Sequence, residues 1–154
     1  MYQLKIGHAH LKVRDLNRSI EFYTRVLGMK VTEVVGNHYA FLTAGEMHHE
    51  IALQAIGANA PDQLQSAPGL YHVAFEVVDK AGLAAAYATL KKSKISVATV
   101  DHLISWAIYF SDPDGNGLEI YCDTRHEQNT TTWDGINESL PEAKLLAYLE
   151  RLNN

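Results

Sequence analysis

Apolar and polar residues alternate along two separate stretches of the chain, residues 8–15 and 72–79. Both stretches read His-x-x-(Leu/Phe)-x-Val-x-Asp, and the second lies 64 residues after the first. Because alternate side chains of a β-strand point to opposite faces, each stretch predicts a half-buried strand that ends at an aspartate. A pattern that recurs at one fixed offset predicts two copies of a single structural unit.

A helical pattern follows each aspartate. Asp15 and Asp79 suit the N-cap position, where a carboxylate accepts a hydrogen bond from the first helical turn. The spacing predicts a first helix over Leu16–Leu27, which Gly28 ends, and a second helix over Ala81–Lys92. The expected apolar faces are Ile20, Tyr23 and Leu27 in the first helix, and Leu83, Tyr87 and Leu90 in the second.

Three short strand-like runs follow each predicted helix, and turn residues separate them. The runs are Lys30–Val35, Tyr39–Thr43 and His49–Ala55 in the first copy, and Ser96–Val100, Ser105–Ser111 and Gly117–Cys122 in the second. A linker, Ile56–Pro68, lies between the copies. The sequence therefore predicts an α+β fold of two βαβββ modules, residues 4–56 and 69–123, in one domain that spans residues 1–125.

Residues 126–154 form a C-terminal extension. Its first part, residues 126–138, has no periodicity and predicts irregular structure. A short helix is predicted over Pro141–Leu152, because proline suits the first helical position and three leucines, Leu145, Leu149 and Leu152, share one face. We expect that face to pack on the rest of the chain or on a second subunit.

Composition excludes several classes of function. The net charge of −5 and the scattered 13 lysines and arginines give no basic surface, which argues against a nucleic-acid partner. No apolar run approaches the ~18 residues that a membrane span needs, and the N-terminus lacks the apolar segment of a signal peptide. The single cysteine, Cys122, fits a reducing compartment, so we expect a cytoplasmic protein.

Three residues of the repeat form a candidate metal site. His8 and His72 occupy the same position in the two copies, and a pseudo-twofold repeat can bring their imidazoles together. Glu119 stands between Leu118 and Ile120, and a carboxylate in such a strand is costly to bury unless it is paired or bound to a metal. A lone strand histidine is more often structural, but two matched histidines and a carboxylate form the triad typical of Fe(II), with coordination positions left open. Mn(II), Ni(II), Co(II) and Zn(II) accept the same ligands.

The repeat and its motifs resemble the vicinal oxygen chelate superfamily, which includes glyoxalase I, bleomycin-resistance proteins, fosfomycin-modifying enzymes and extradiol catechol dioxygenases. The resemblance covers residues 4–123, with IGHAHLKVRDLNRSIEFYTRVLGMKV in the first copy and YFSDPDGNGLEIY in the second. It implies paired βαβββ modules in a cupped mixed β-sheet around one divalent metal, frequently in a homodimer or higher homo-oligomer. On the matching positions the metal ligands would be His8, His72 and Glu119.

The run His48-His49-Glu-Ile-Ala-Leu resembles the His-His-x-Ile-Ala-Leu segment of extradiol dioxygenases. On that match His49 would be the acid–base group beside the metal, and His102 and Tyr109 would lie near the substrate oxygens. An imidazole, with a pKa of about 6.5, can take and return a proton near neutral pH. In isolation these residues have simpler explanations, since His49 fits a polar turn and Tyr109 fits core packing.

Glyoxalase I, by the same resemblance, has a glutamate at the end of its first module. In this chain Gln54 is the residue of the first copy that matches Glu119 of the second copy. An amide cannot accept the proton in the glyoxalase mechanism. The departure disfavours the glyoxalase branch.

The sequence therefore favours an Fe(II)- or Mn(II)-dependent ring-cleavage dioxygenase that acts on a catechol-like aromatic diol and dioxygen. A glyoxalase-like lyase or isomerase, or a thiol transferase, is the alternative, because extradiol enzymes are commonly longer than one pair of modules. A bleomycin-resistance-type binding protein without catalysis is a further alternative, which the intact triad disfavours. The substrate stays open, as does whether one chain or a dimer completes the site.

Overall fold

A computed structural model of the protein describes residues 2–64, 66–128 and 130–149. The order of its elements repeats βαβββ twice, which confirms the predicted α+β fold. The elements are β1 (Ala9–Val13), α1 (Leu16–Arg25), β2 (Lys30–Val35), β3 (Tyr39–Thr43), β4 (Ile51–Ala55), β5 (Val73–Glu76), α2 (Lys80–Lys92), β6 (Ala98–Asp101), β7 (Ser105–Ser111), β8 (Gly117–Asp123), α3 (Arg125–Gln128), β9 (Glu138–Ser139) and α4 (Glu142–Leu146).

Each module has its own mixed sheet. The first sheet has the strand order β1-β4-β3-β2, and the second has the order β5-β8-β7-β6-β9. The pairs β1·β4 and β5·β8 are parallel, whereas the other pairs are antiparallel. The chain divides into two compact units, the first made of residues up to Pro68 with Asp112–Asn116, and the second of Gly69–Ser111 with the chain from Gly117 onward.

The core of the first unit forms between its sheet and α1. Asp15 caps the helix as predicted, because its side chain accepts a hydrogen bond from the backbone N–H of Arg18 at 2.9 Å. The helix ends at Arg25, before the predicted Leu27, with Val26 as its C-cap. The buried apolar side chains of this unit include Leu11, Val13, Leu16, Tyr23, Leu42, Ile51 and Leu53.

An aspartate-rich turn, Asp112–Asn116, completes the first unit. The side chain of Asp112 accepts hydrogen bonds from the backbone N–H groups of Asp114 and Asn116, both at 2.9 Å. The hydroxyl of the fully buried Tyr23 donates to the same carboxylate at 3.2 Å. Gly115 has a φ of 85°, in the region that favours glycine, so the predicted turn is confirmed.

The core of the second unit forms between its sheet and α2. Asp79 caps this helix, since its side chain accepts from the backbone N–H of Gly82 at 2.8 Å. Trp106 is 2% exposed and belongs to this core. The other buried apolar side chains include Leu83, Tyr87, Leu90, Ile108, Leu118 and Ile120.

The C-terminal extension differs from the prediction. A short helix, α3, lies where irregular structure was expected, and β9 adds a fifth strand beside β6. The terminal helix covers Glu142–Leu146, shorter than predicted, with Pro141 at its N-cap and buried Leu145 on its inner face. Of the predicted face, Leu152 lies outside the described residues. In the part of the chain that the structure describes, no helix is long and apolar enough to cross a membrane.

Candidate metal centre

His72 and Glu119 lie together at one edge of the second sheet. Parallel pairing of β5 with β8 places Ala74 opposite Glu119, and His72 lies two residues before Ala74, on the same face. The distance between Nε2 of His72 and Oε2 of Glu119 is 2.8 Å. Glu119 is only 7% exposed, and the imidazole of His72 and the hydroxyl of Tyr109 both pair with this buried carboxylate.

The spacing of these two atoms fits a shared metal ion. Two ligand atoms at about 2.1 Å from one cation, and at right angles, lie about 3.0 Å apart. The observed 2.8 Å between Nε2 and Oε2 is close to that value. The other ring nitrogen of His72, Nδ1, is buried and has no hydrogen-bond partner among the described residues. The pair therefore suits two of the three predicted ligands.

Tyr109 and His102 extend the cluster. Antiparallel pairing of β7 with β8 places Tyr109 opposite Glu119, and the ring centroids of Tyr109 and His72 are 5.5 Å apart. The hydroxyl of Tyr109 lies 2.8 Å from Nε2 of His102. Burial raises the pKa of Tyr109, and the negative charge of Glu119 raises it further. The phenol therefore keeps its proton at neutral pH and acts as a hydrogen-bond donor.

His8 and His49 lie together in the first unit. His8 immediately precedes β1, His49 precedes β4, and their ring centroids are 4.6 Å apart. The Nδ1 atoms of His48 and His49 lie 2.8 Å apart, while Nε2 of His48 lies 3.3 Å from a carboxylate oxygen of Glu33. Desolvation lowers the pKa of His49, and the charges of His8 and His48 lower it further. The ring of His49 is therefore neutral and able to accept a proton.

The predicted site residues thus form two groups. His72, Glu119, Tyr109 and His102 lie in the second unit, and His8 lies with His49 in the first. Among the residues that the structure describes, no three His, Cys, Asp or Glu side chains are grouped so that they could hold a metal ion. The three-ligand set and the roles of the substrate-side residues stay predictions.

The sequence matched Gln54 with Glu119, but the pairing of the strands matches a different residue with Glu119. The first unit pairs His10 with Ala52, whereas the second pairs the equivalent Ala74 with Glu119. Counted from the matched histidines, Ala52 rather than Gln54 corresponds to Glu119. Gln54 instead donates its amide to the hydroxyl of Tyr39 at 3.3 Å. Neither residue is a carboxylate, so the first unit lacks the ligand chemistry of the second.

Sequence reasoning missed two residues of the extension that contact the cluster. Oδ1 of Asn137 lies 2.6 Å from Nδ1 of His102, and the ring centroids of Trp133 and His102 are 5.7 Å apart. Both residues fall in the segment that was expected to be irregular. Their position depends on the pairing of β9 with β6, and a two-residue strand carries too little periodicity to be predicted.

The sequence pattern of the Glyoxalase/Bleomycin resistance protein/Dioxygenase superfamily matches residues 5–120. The chain therefore belongs to this superfamily, as its repeat and motifs indicated. A solved glyoxylase/bleomycin resistance protein/dioxygenase domain from Frankia sp. EAN1pec has the same fold, with a TM-score of 0.66 and 26% identity, over 79% of this chain and 99% of that domain.

Two curated relatives show the range of chemistry in the superfamily. A catechol-2,3-dioxygenase of Bacillus subtilis (strain 168) is 38% identical over 133 residues, which are 86% of this chain and 45% of the relative. A metallothiol transferase, FosB, of Staphylococcus epidermidis (strain ATCC 12228 / FDA PCI 1200) is 31% identical over 122 residues, which are 77% of this chain and 82% of that enzyme. The chain thus spans less than half the length of the dioxygenase that it matches.

Proposed function

We propose that this chain is an extradiol-type ring-cleavage dioxygenase that acts on a catechol-like aromatic diol at one divalent metal ion, Fe(II) or Mn(II). His8, His72 and Glu119 would hold the metal. The observation that carries the proposal is the His72–Glu119 pair at 2.8 Å, with the donor Tyr109 beside it. The 38% identity to a catechol-2,3-dioxygenase supports the same reading.

The metal, when bound, would supply open coordination positions on which a vicinal diol and dioxygen could be held side by side. The chain itself would orient the substrate and move its protons. Tyr109, which stays protonated, would donate its single proton to a substrate oxygen when the diol is bound. In the free site Nε2 of His102 lies 2.8 Å from that hydroxyl and would hold the phenol in place.

His49 would exchange protons with the substrate. Its neutral ring can accept a proton from a diol hydroxyl and later return it to an oxygen of the opened product. Since Nδ1 of His49 is engaged with His48, we assign the transfer to Nε2. A homodimer or higher homo-oligomer in the cytoplasm belongs to the same proposal.

A second candidate is a thiol transferase, or a glyoxalase-like lyase or isomerase, that uses the same metal ligands. The observation that favours it is similarity, because the chain is 31% identical to FosB over 82% of that enzyme. A glyoxalase mechanism is less favoured, since Ala52 and Gln54 offer no carboxylate in the first unit.

Oxygen uptake separates the two candidates. The protein would be loaded anaerobically with Fe(II) and mixed with catechol, with hydroquinone as the control diol whose hydroxyls are not adjacent. The proposal predicts oxygen consumption and a ring-opened product with catechol alone. Consumption of a thiol cosubstrate without oxygen uptake would instead support the transferase.

A further inference from the structure

The extension segment Trp133–Ser139 lies against His102 of the second unit. Antiparallel pairing of β9 with β6 matches Asp101 with Glu138 and Val100 with Ser139. Continued by one residue, the same register places Asn137 opposite His102. The contact between these two side chains therefore follows from a backbone ladder.

Contacts made by the residues that follow β9 hold the segment in this register. The hydroxyl of Thr99 donates to the carbonyl oxygen of Leu140 at 2.7 Å, and the side chain of Leu140 is buried. Nζ of Lys144 lies 3.0 Å from the carboxylate of Asp101, which is itself 2% exposed. An ion pair with a buried carboxylate and a buried leucine make the position of Asn137 a built feature of the unit.

The indole of Trp133 also contacts the His102 ring, with the two ring centroids 5.7 Å apart. Its ring plane is 82° from that of His102, and its N–H donates to the carbonyl oxygen of Ile136 at 2.9 Å. That hydrogen bond holds the loop closed around residues 133–136, so the segment contacts His102 at two places.

The hydrogen bonds of His102 assign its tautomer. Oδ1 of Asn137 can only accept a hydrogen bond, and it lies 2.6 Å from Nδ1 of His102, so Nδ1 must carry the proton. In a neutral ring Nε2 then has a lone pair, and it lies 2.8 Å from the hydroxyl of Tyr109. The lone pair therefore faces the phenol of Tyr109, which can donate its single proton either to Nε2 or to the carboxylate of Glu119.

We propose that Asn137 is a positioning residue that holds His102 as the Nδ1–H tautomer and so directs the lone pair of Nε2 toward Tyr109. The catalytic consequence of this contact rests on the proposed function, but the tautomer does not. In a free imidazole neither nitrogen is held in this way, and rotation of the ring would remove the acceptor from Tyr109. The residue lies beyond residues 5–120, which the superfamily pattern covers.

The test uses nitrogen chemical shifts of His102 in the metal-free full chain, measured at about pH 8, where an ordinary imidazole is neutral. The wild type is expected to show Nδ1 protonated. Asn137→Leu, which keeps the volume but removes the acceptor, should move the proton to Nε2, whereas Asn137→Asp should keep Nδ1 protonated. Thr131→Ala, an exposed change in the same extension, is the control and should match the wild type.

A second readout uses the Fe(II)-loaded enzyme. Asn137→Leu should lower kcat about tenfold with little change in KM. Asn137→Asp, which keeps an acceptor, should retain most of the wild-type kcat. A wild-type ring protonated at Nε2, or an unchanged tautomer in Asn137→Leu, would overturn the inference. If the tautomer moves as expected while the wild type never consumes oxygen, the proposed function fails and the positioning role stands.

Discussion

The two modules repeat one topology but differ at the position of Glu119, which is one of the proposed metal ligands. Both begin with a histidine followed by a short strand that pairs in parallel with the last strand of the module. Opposite that strand the second module has Glu119, which lies 2.8 Å from His72, and the first has Ala52. Duplication therefore supplies two equivalent histidines, and a single later difference decides which module supplies the carboxylate.

The modules differ again at their sheet edges. β2 forms the outer edge of the first sheet, and all six of its residues are exposed. The corresponding edge, β6, is covered by β9 of the extension. The covered edge is also the one next to His102, which the extension contacts through Asn137. An addition outside the repeat thus protects a strand edge and completes the surroundings of the candidate site.

The largest effect is expected from removing the carboxylate that distinguishes the modules. Glu119→Gln should weaken Fe(II) or Mn(II) binding by at least about a hundredfold, because an amide replaces the only anionic ligand. Ring cleavage should fall below detection. Metal titration by calorimetry under anaerobic conditions measures the change.

Glu76→Gln is the matched control for that variant. Glu76 is an exposed carboxylate in the adjacent β5, where it accepts a hydrogen bond from Tyr121 at 3.1 Å. Its removal should leave metal affinity within about twofold. Equal losses in the two variants would mean that the effect arises from the sheet and not from a ligand.

The next largest effect is expected in the first module, which would supply proton transfer. His49→Ala should lower kcat by about a hundredfold while metal content stays unchanged, since general acid–base groups contribute about 10²–10⁴ in rate. His38→Ala, an exposed histidine of the β2–β3 turn, is the control and should keep most of the activity. Loss of metal from the His49 variant would contradict the assigned role.

A moderate effect on stability is expected from the two matched helix tyrosines. Tyr23 is fully buried and donates to the buried Asp112, whereas Tyr87 donates to Glu142 of α4, which is exposed. Tyr23→Phe should therefore reduce the free energy of unfolding by about 1–2 kcal/mol, and Tyr87→Phe by less than about 1 kcal/mol. Denaturant unfolding of both variants tests this order.

The burial of Tyr23 also predicts that the stability of the protein depends on pH in the alkaline range. Burial and the charge of Asp112 raise the pKa of Tyr23, so the folded state holds the phenolic proton more tightly than the unfolded state does. The resulting stability is fully present below the unfolded pKa of about 10 and is lost as pH rises above it. Tyr23→Phe should unfold with a weaker dependence on pH in that range.

The smallest effect is expected from the extension. Trp133 is 52% exposed and contacts His102 edge to face, so its removal leaves the core intact. Trp133→Ala should raise KM for an aromatic diol about threefold to tenfold, as expected for the loss of one aromatic contact, with kcat little changed. An unchanged KM would show that the substrate does not reach the extension.

Features that depend on local chemistry could be predicted from the sequence. Asp15 and Asp79 cap their helices because capping needs only a short side chain beside the first turn. The bounds of β2, β3 and β7 agree with the predictions, since turn residues mark their ends. The expectation that a carboxylate in β8 needs a partner in order to be buried agrees with the contact between Glu119 and His72.

Features that depend on long-range pairing could not be predicted. Gln54 matched Glu119 by sequence offset, but the register of β1 with β4 puts Ala52 at the equivalent position. Asn137 reaches His102 only because β9 pairs with β6, and neither strand indicates its partner. The polar run that contains Trp133 resembled a loop because its contacts are made with another part of the chain.

Metal stoichiometry is the most direct test of the proposal that His8, His72 and Glu119 bind one metal ion. The wild type, His8→Ala and His10→Ala would each be loaded with Fe(II) without oxygen, desalted and assayed for bound iron. His10 is the matched control, since it is an exposed histidine in β1, two residues after His8. If the proposed ligands bind the metal, we expect about one iron per chain in the wild type and in His10→Ala, and little in His8→Ala. A wild type that binds no metal, or a His8→Ala variant that binds as much as the wild type, would contradict it.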